Sequence, residues 1–165
     1  MRYLPLQQRV YENKLRKGFN TTDVGKEVIL LTEEYGELCG AQIRDDQPEI
    51  VDAIGDIMIY CLGLCAMFKR DADMILNQNI EQPTKPSIAE YLPYVGKELG
   101  HFARTYRRSN KLTAQDIDKQ EELTASIGKL MSYCSAMFRA IDVDEQATLE
   151  HIINTNEART KQIRI

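Results

Sequence analysis

A chain of 165 residues with 43% hydrophobic residues and no Trp has the size for one domain with a substantial core, or for two small units sharing one. A net charge of -4 without a long basic run argues against a general nucleic-acid binder, so any contact with phosphate should be local. Met1-Arg2-Tyr3-Leu4-Pro5 starts no apolar run of signal-peptide length, and the longest apolar stretch, Ile57 to Phe68, is too short to span a bilayer. No membrane partner and a cytoplasmic location are therefore expected.

In chain order, Leu6 to Lys17 lacks Pro and Gly, carries Leu6, Val10 and Leu15 at approximate helical spacing, and stops at Gly18, a C-cap residue. Asn20-Thr21-Thr22-Asp23 offers several N-caps for a long helix ending near Ile43. Asp45-Asp46-Gln47 makes a short turn, and Pro48 suits the first turn of the next helix, which runs to about Arg70. That helix is apolar on nearly every side from Ile57 to Phe68, so it should be the central one. The chain continues through Met74 to Asn79 and reaches Pro83 and Pro86, which mark the boundary between a unit at 1–82 and a second at 83–165. No Val/Ile/Thr alternation bounded by turn residues appears, so the fold class is all-α.

The cysteines, Cys39, Cys61, Cys65 and Cys134, form no C-x-x-C pair and no zinc-ribbon spacing, and read as reduced thiols in apolar surroundings.

Acids sit where apolar residues belong. Leu30, Glu34, Glu37 and Ala41 share one helical stripe, and Asp52, Asp56, Ile59 and Gly63 share another. With about 1.5 Å of rise per residue, both acid pairs lie roughly 10 to 18 Å from the turn at Asp46, and an antiparallel hairpin brings them level. Buried unpaired carboxylates are costly, whereas a hard divalent cation accepts several carboxylate oxygens at once. Glu34, Glu37, Asp52 and Asp56 are therefore candidate metal ligands, against the plainer reading of a solvated acidic face.

The second half echoes the first. Glu34-Tyr35-Gly36-Glu37 is matched by Glu98-Leu99-Gly100-His101, and the block from Ala53 to Cys61 by the block from Ser126 to Cys134. In this register Glu37 becomes His101, Asp52 becomes Ala125 and Asp56 becomes Lys129, while Glu98 and Glu122 stand at the positions of Glu34 and Glu49. One working acidic site and one altered pseudo-site are expected, with Lys129 replacing the charge of a metal.

Glu-Glu-x-x-Glu, followed by an acidic pair on a second helix that runs into Ile57-Met58-Ile59-Tyr60, resembles the MazG-like group of all-α nucleotide pyrophosphohydrolases, related to the dimeric dUTPases. The opening from Val10 to Asn20 is similar to the segment that precedes the acidic helix in that group. The likeness covers about residues 5 to 80, and the rest only through the repeat. It implies a bundle of the all-α NTP pyrophosphatase type built from two tandem degenerate repeats. It also implies hydrolysis of a (d)NTP between the α and β phosphates to (d)NMP and pyrophosphate, in nucleotide-pool control, with Mg2+ or Mn2+ as cofactor. Glu33 or Glu49 would orient or deprotonate the attacking water. Lys14 and Lys17 would supply cations, and Asn13, Asn20 and Asn79 amides, to the nucleotide. The group's second motif usually places a Glu at the position of Ala53; here Asp52 is the substitute, within a literal Glu-x-x-Asp from Glu49 to Asp52. The chain could be a homodimer, or a monomer with an internal pseudo-dimer.

No P-loop is present, and a ferritin-like di-metal protein would need two Glu-x-x-His pairs where only Glu98 to His101 provides one. A non-catalytic helical interaction module is the alternative; it predicts no Mg2+ binding and no loss of function in Asp56→Asn.

Overall fold

The computed structural model describes residues 1–80, 84–109 and 117–159, and among these the chain forms seven α-helices and no strand. α1 spans Leu4–Lys17 and ends at Gly18 with φ 65, a left-handed conformation that glycine adopts without a Cβ penalty. It begins earlier than the apolar spacing suggests because the Asp73 carboxylate accepts from the N–H groups of Tyr3 at 2.9 Å and Leu4 at 3.0 Å. Those first-turn donors have no partner within their own helix.

α2 spans Val24–Arg44 and α3 spans Gln47–Met67. Asp23 caps α2 by accepting from Lys26 N, and Asp46 caps α3 by accepting from Glu49 N. Between the helices Asp45 takes a left-handed φ of 55, so that Asp45 and Asp46 alone reverse the chain. α3 stops at Met67 instead of reaching Arg70, because Lys69 turns left-handed with φ 55 and the Arg70 N–H returns to Cys65 O at 2.9 Å. Asp71 then caps a separate short helix, α4, Ala72–Gln78, in a stretch where the sequence reading placed no distinct element.

Thr84 to Ser87 is non-helical, as the prolines predict, whereas Gln82 and Pro83 lie outside the described residues. α5 spans Ile88–Ser109 and accommodates Pro93, α6 spans Ile117–Ala140, and α7 spans Glu145–Ala158 with Asp144 as its N-cap.

α3 packs against α2 on one side and α6 on another, and α1 and α7 also lie on it. Ile50, Ile54, Met58, Cys61, Leu62, Leu64 and Cys65 are fully buried along α3, which makes it the central helix the sequence predicts. With 21 residues it is long and apolar enough to cross a membrane by composition, which the Ile57 to Phe68 run alone did not suggest; here its apolar surface is covered by other helices. All four cysteines are free thiols, and burial pushes Cys61, Cys65 and Cys134 up, Cys65 to about 12, so these three act as small apolar side chains.

α7 and α4 each pack on a helix distant in the chain. α7 lies on α3, where a Cβ on Gly55 would run into the end of the Ile152 side chain. α4 lies on α6, where a Cβ on Gly128 would stand 2.7 Å from Ile75 O. Gly55 and Gly128 occupy matched positions in the sequence echo, and each admits a close helix, α7 at Gly55 and α4 at Gly128.

Candidate functional site

The α2–α3 hairpin sets the acids. Val28, Leu31, Leu38 and Ala41 form the buried stripe of α2, and Ile50, Ala53, Ile54 and Ile57 that of the first half of α3. The four acids flank these stripes at the edge of the core instead of lying in it: Glu34 and Asp56 are half-buried, and Glu37 and Asp52 are exposed. Ala53, at 4% exposure, is part of the packed interior, which explains why position 53 carries a small apolar side chain while Asp52 faces outward.

Their charges act on one another. Burial pushes Glu34 up to about 7, helped by the negative charges of Asp56, Glu37, Asp52 and Glu33. Burial likewise pushes Asp56 up to about 6, with Asp52 and Glu37 adding to the shift and Arg159 opposing it. Burial raises the Tyr60 hydroxyl well above its ordinary range, and Glu34, Glu27, Asp56 and Glu33 reinforce this, so Tyr60 remains a neutral donor. Glu34 Oε2 is buried and makes no hydrogen bond. An oxygen desolvated without a partner costs about 1–3 kcal/mol unless something satisfies it.

This donor set fits a hard divalent cation in type and in charge, and Glu34 Oε2 is the oxygen most in need of one. The carboxylates are spread along the hairpin: among the described residues no three His, Cys, Asp or Glu side chains converge into a metal-holding group.

Glu33 is exposed beside Glu34, and its charge reaches both Glu34 and Tyr60. Glu49 is exposed and paired with Arg44 across the turn. Together with Asp52 it also borders a groove of about 620 Å³ whose other wall is α7, with Thr148, His151 and Ile152. Neither Thr148 nor His151 was identified as a candidate in the sequence, since their approach depends on how α7 packs.

The expected nucleotide contacts divide. Lys14 Nζ is 2.7 Å from Glu27 Oε2, and Asn20 Nδ2 donates to Glu27 Oε1 at 3.0 Å. Lys17 donates to the backbone oxygens of Asn156 and, at 2.6 Å, Arg159, and so ties α1 to the end of α7. Asn13 Oδ1 accepts from Arg16 at 2.9 Å. Asn79 closes α4 with Nδ2 on Ile75 O at 2.8 Å and packs beside Gly128 of α6, a local structural role.

Glu27, completely buried, was missed in the sequence, although its place two turns before Glu34 on the same helix face was a usable signal. In the second half, His101 Nε2 lies 3.1 Å from Glu122 Oε1, which also accepts from Thr105 Oγ1 at 3.3 Å, and Glu98 is buried. His101, Thr105 and Glu122 pair with one another without the concentration of like charge found on the first hairpin.

No family model, curated protein or solved structure matches this chain. The fold and the site therefore define an all-α helical bundle with a cluster of like charge along one hairpin, and the functional reading rests on those acids.

Proposed function

We propose that the protein is a divalent-cation-dependent nucleoside triphosphate pyrophosphohydrolase of MazG-like type, cleaving a (d)NTP to (d)NMP and pyrophosphate in the cytoplasm. The observation that carries this reading is the mutual charging of Glu34, Glu37, Asp52 and Asp56 on facing helices, together with the unpartnered, buried Glu34 Oε2. Four carboxylates along one hairpin repel a triphosphate unless cations lie between them, so the same feature implies both the cofactor and the substrate class.

Glu34, Glu37, Asp52 and Asp56 would hold Mg2+, with Mn2+ as a substitute; when bound, the ion neutralises phosphate charge and lowers the pKa of water. The chain's own contribution is position and proton transfer. Glu33, exposed and close to the acids, is the better placed of the two candidate bases, because Glu49 is drawn to Arg44. The tandem-repeat reading is supported by the matched glycines at 55 and 128 and by the packing of α7 on α3 and of α4 on α6. One working site then belongs to a monomer that imitates a dimer, with a true homodimer as the other arrangement.

Product analysis tests the reaction class. Purified protein incubated with Mg2+ and a panel of canonical and modified (d)NTPs should give monophosphate and pyrophosphate in equal amounts. Diphosphate and orthophosphate would instead indicate cleavage at the outer anhydride and reject the proposal.

A further inference from the structure

Glu27 is an acid that the proposed metal site does not use, and its surroundings are specific. It lies in the first turn of α2, its side chain has no solvent exposure, and both oxygens are occupied: Oε2 by Lys14 Nζ at 2.7 Å and Oε1 by Asn20 Nδ2 at 3.0 Å. Lys14 Nζ also donates to Asn20 O at 3.3 Å and lies 5.8 Å from the centre of the Tyr60 ring. Tyr60 is one turn beyond Asp56 on α3, so the Lys14 ammonium is held beside the proposed acidic site. Gly63, one turn farther, provides the slot, since a Cβ there would stand 3.2 Å from Lys14 Cε.

Stability alone is a weak reason to bury this pair. Desolvating two charges costs about as much as their attraction returns, and apolar replacements of similar volume commonly do as well or better. α2 does not need Glu27 for capping either, because Asp23 performs that role. What the pair provides is a cation of fixed position with 12% of its side chain exposed, against an aromatic face that favours positive charge.

The geometry points to Glu27 as a positioning residue: it holds the Lys14 ammonium against Tyr60, whose hydroxyl feels the charges of Glu34 and Asp56, so that Lys14 meets the polyphosphate of the substrate beside those acids. This rests on the proposed function and names a residue of that site outside its carboxylate set. Freed from Glu27, Lys14 would extend into solvent, and the entropy of placing it would fall on substrate binding.

Calorimetric titration of the full chain with Mg2+ alone and with inorganic tripolyphosphate plus Mg2+ tests it, because tripolyphosphate offers the phosphates without a base. Glu27→Gln should weaken tripolyphosphate binding about tenfold, the loss of one charge-assisted contact. Mg2+ binding should stay within about twofold of wild type, a negligible free-energy change. The double variant Lys14→Met, Glu27→Leu removes both charges; it should regain the wild-type melting temperature while keeping the tenfold loss. Wild-type tripolyphosphate affinity in the double variant, or in Glu27→Gln, would show a purely structural pair and overturn the inference. Absence of Mg2+ binding by the wild type would overturn the underlying reading of the carboxylates, a result separate from either.

Discussion

Gly128 of α6 touches the backbone of Ile75 in α4 so closely that a Cβ would stand 2.7 Å from the carbonyl oxygen and 2.8 Å from Asn79 Cβ. Backbone cannot yield as a side-chain tip can, so Gly128→Ala must push α4 off α6. Overpacking of this kind costs about 1–3 kcal/mol, partly offset by about 1 kcal/mol of better helix propensity. Gly36→Ala is the control: nothing lies within 4 Å of its Cβ, and the same propensity should appear as a gain of about 0.5–1 kcal/mol. Chemical denaturation should give opposite signs for the two variants; equal effects would contradict the packing described.

Gln7 ties α1 to the start of α4 and to the turn before it through one buried amide. Its Nε2 donates to Arg70 O at 2.9 Å and its Oε1 accepts from Ala72 N at 2.9 Å, where α3 gives way to α4. Gln7→Leu strands both backbone groups, at about 1–3 kcal/mol each if they stay dry. Hydrogen exchange should show faster loss of protection at Ala72 than at the centre of α3; unchanged protection would mean that the amide is dispensable.

The acids predict a pH dependence with a defined sign. Asp56 and Glu34 titrate at about 6 and about 7 in the folded chain, above their ordinary values of 3.8 and 4.5. The folded state thus binds these protons more tightly than the unfolded one. Their contribution to stability is complete below the ordinary values and is lost as pH rises through about 6 and about 7. Both side chains are partly exposed, so solvent screening keeps the effect small. Without divalent metal, the melting temperature should fall across this window and Glu34→Gln should flatten its upper part. Mg2+, which requires ionised oxygens, should restore stability most at the alkaline end. A melting temperature that rises across the window in metal-free protein would contradict the assignment.

Periodicity and punctuation carried much of the fold into the sequence. Gly18, Asp23, Asp46 and Pro48 act locally, so the ends of the first three helices could be read where those residues stand. Lys69 could not: a lysine with positive φ is held by the closure of α3 on Cys65 and by the capping of α4, both set by packing. The acids were legible as misplaced on apolar stripes, but their true depth was not, since a stripe on the helical wheel does not say which helix covers its edge. α5 packs on α2, and α7 on α3, leaving Glu37 and Asp52 open to solvent. Glu27 escaped for the complementary reason. Its partner Lys14 is on another helix, and only their approach turns a surface-like acid into a buried one.

The central claim is that the α2–α3 acids perform metal-dependent phosphoanhydride chemistry, and pyrophosphate release by wild type and Asp56→Asn in the same Mg2+ assay tests it most directly. Asn keeps the shape of Asp56 and removes its charge, so the fold should persist. The account predicts Mg2+-dependent pyrophosphate release by the wild type that falls by about 100-fold or more in the variant, the scale of losing one preorganised charge contact at a reacting phosphate. No release from any nucleotide of the panel, or full activity in Asp56→Asn, would contradict it.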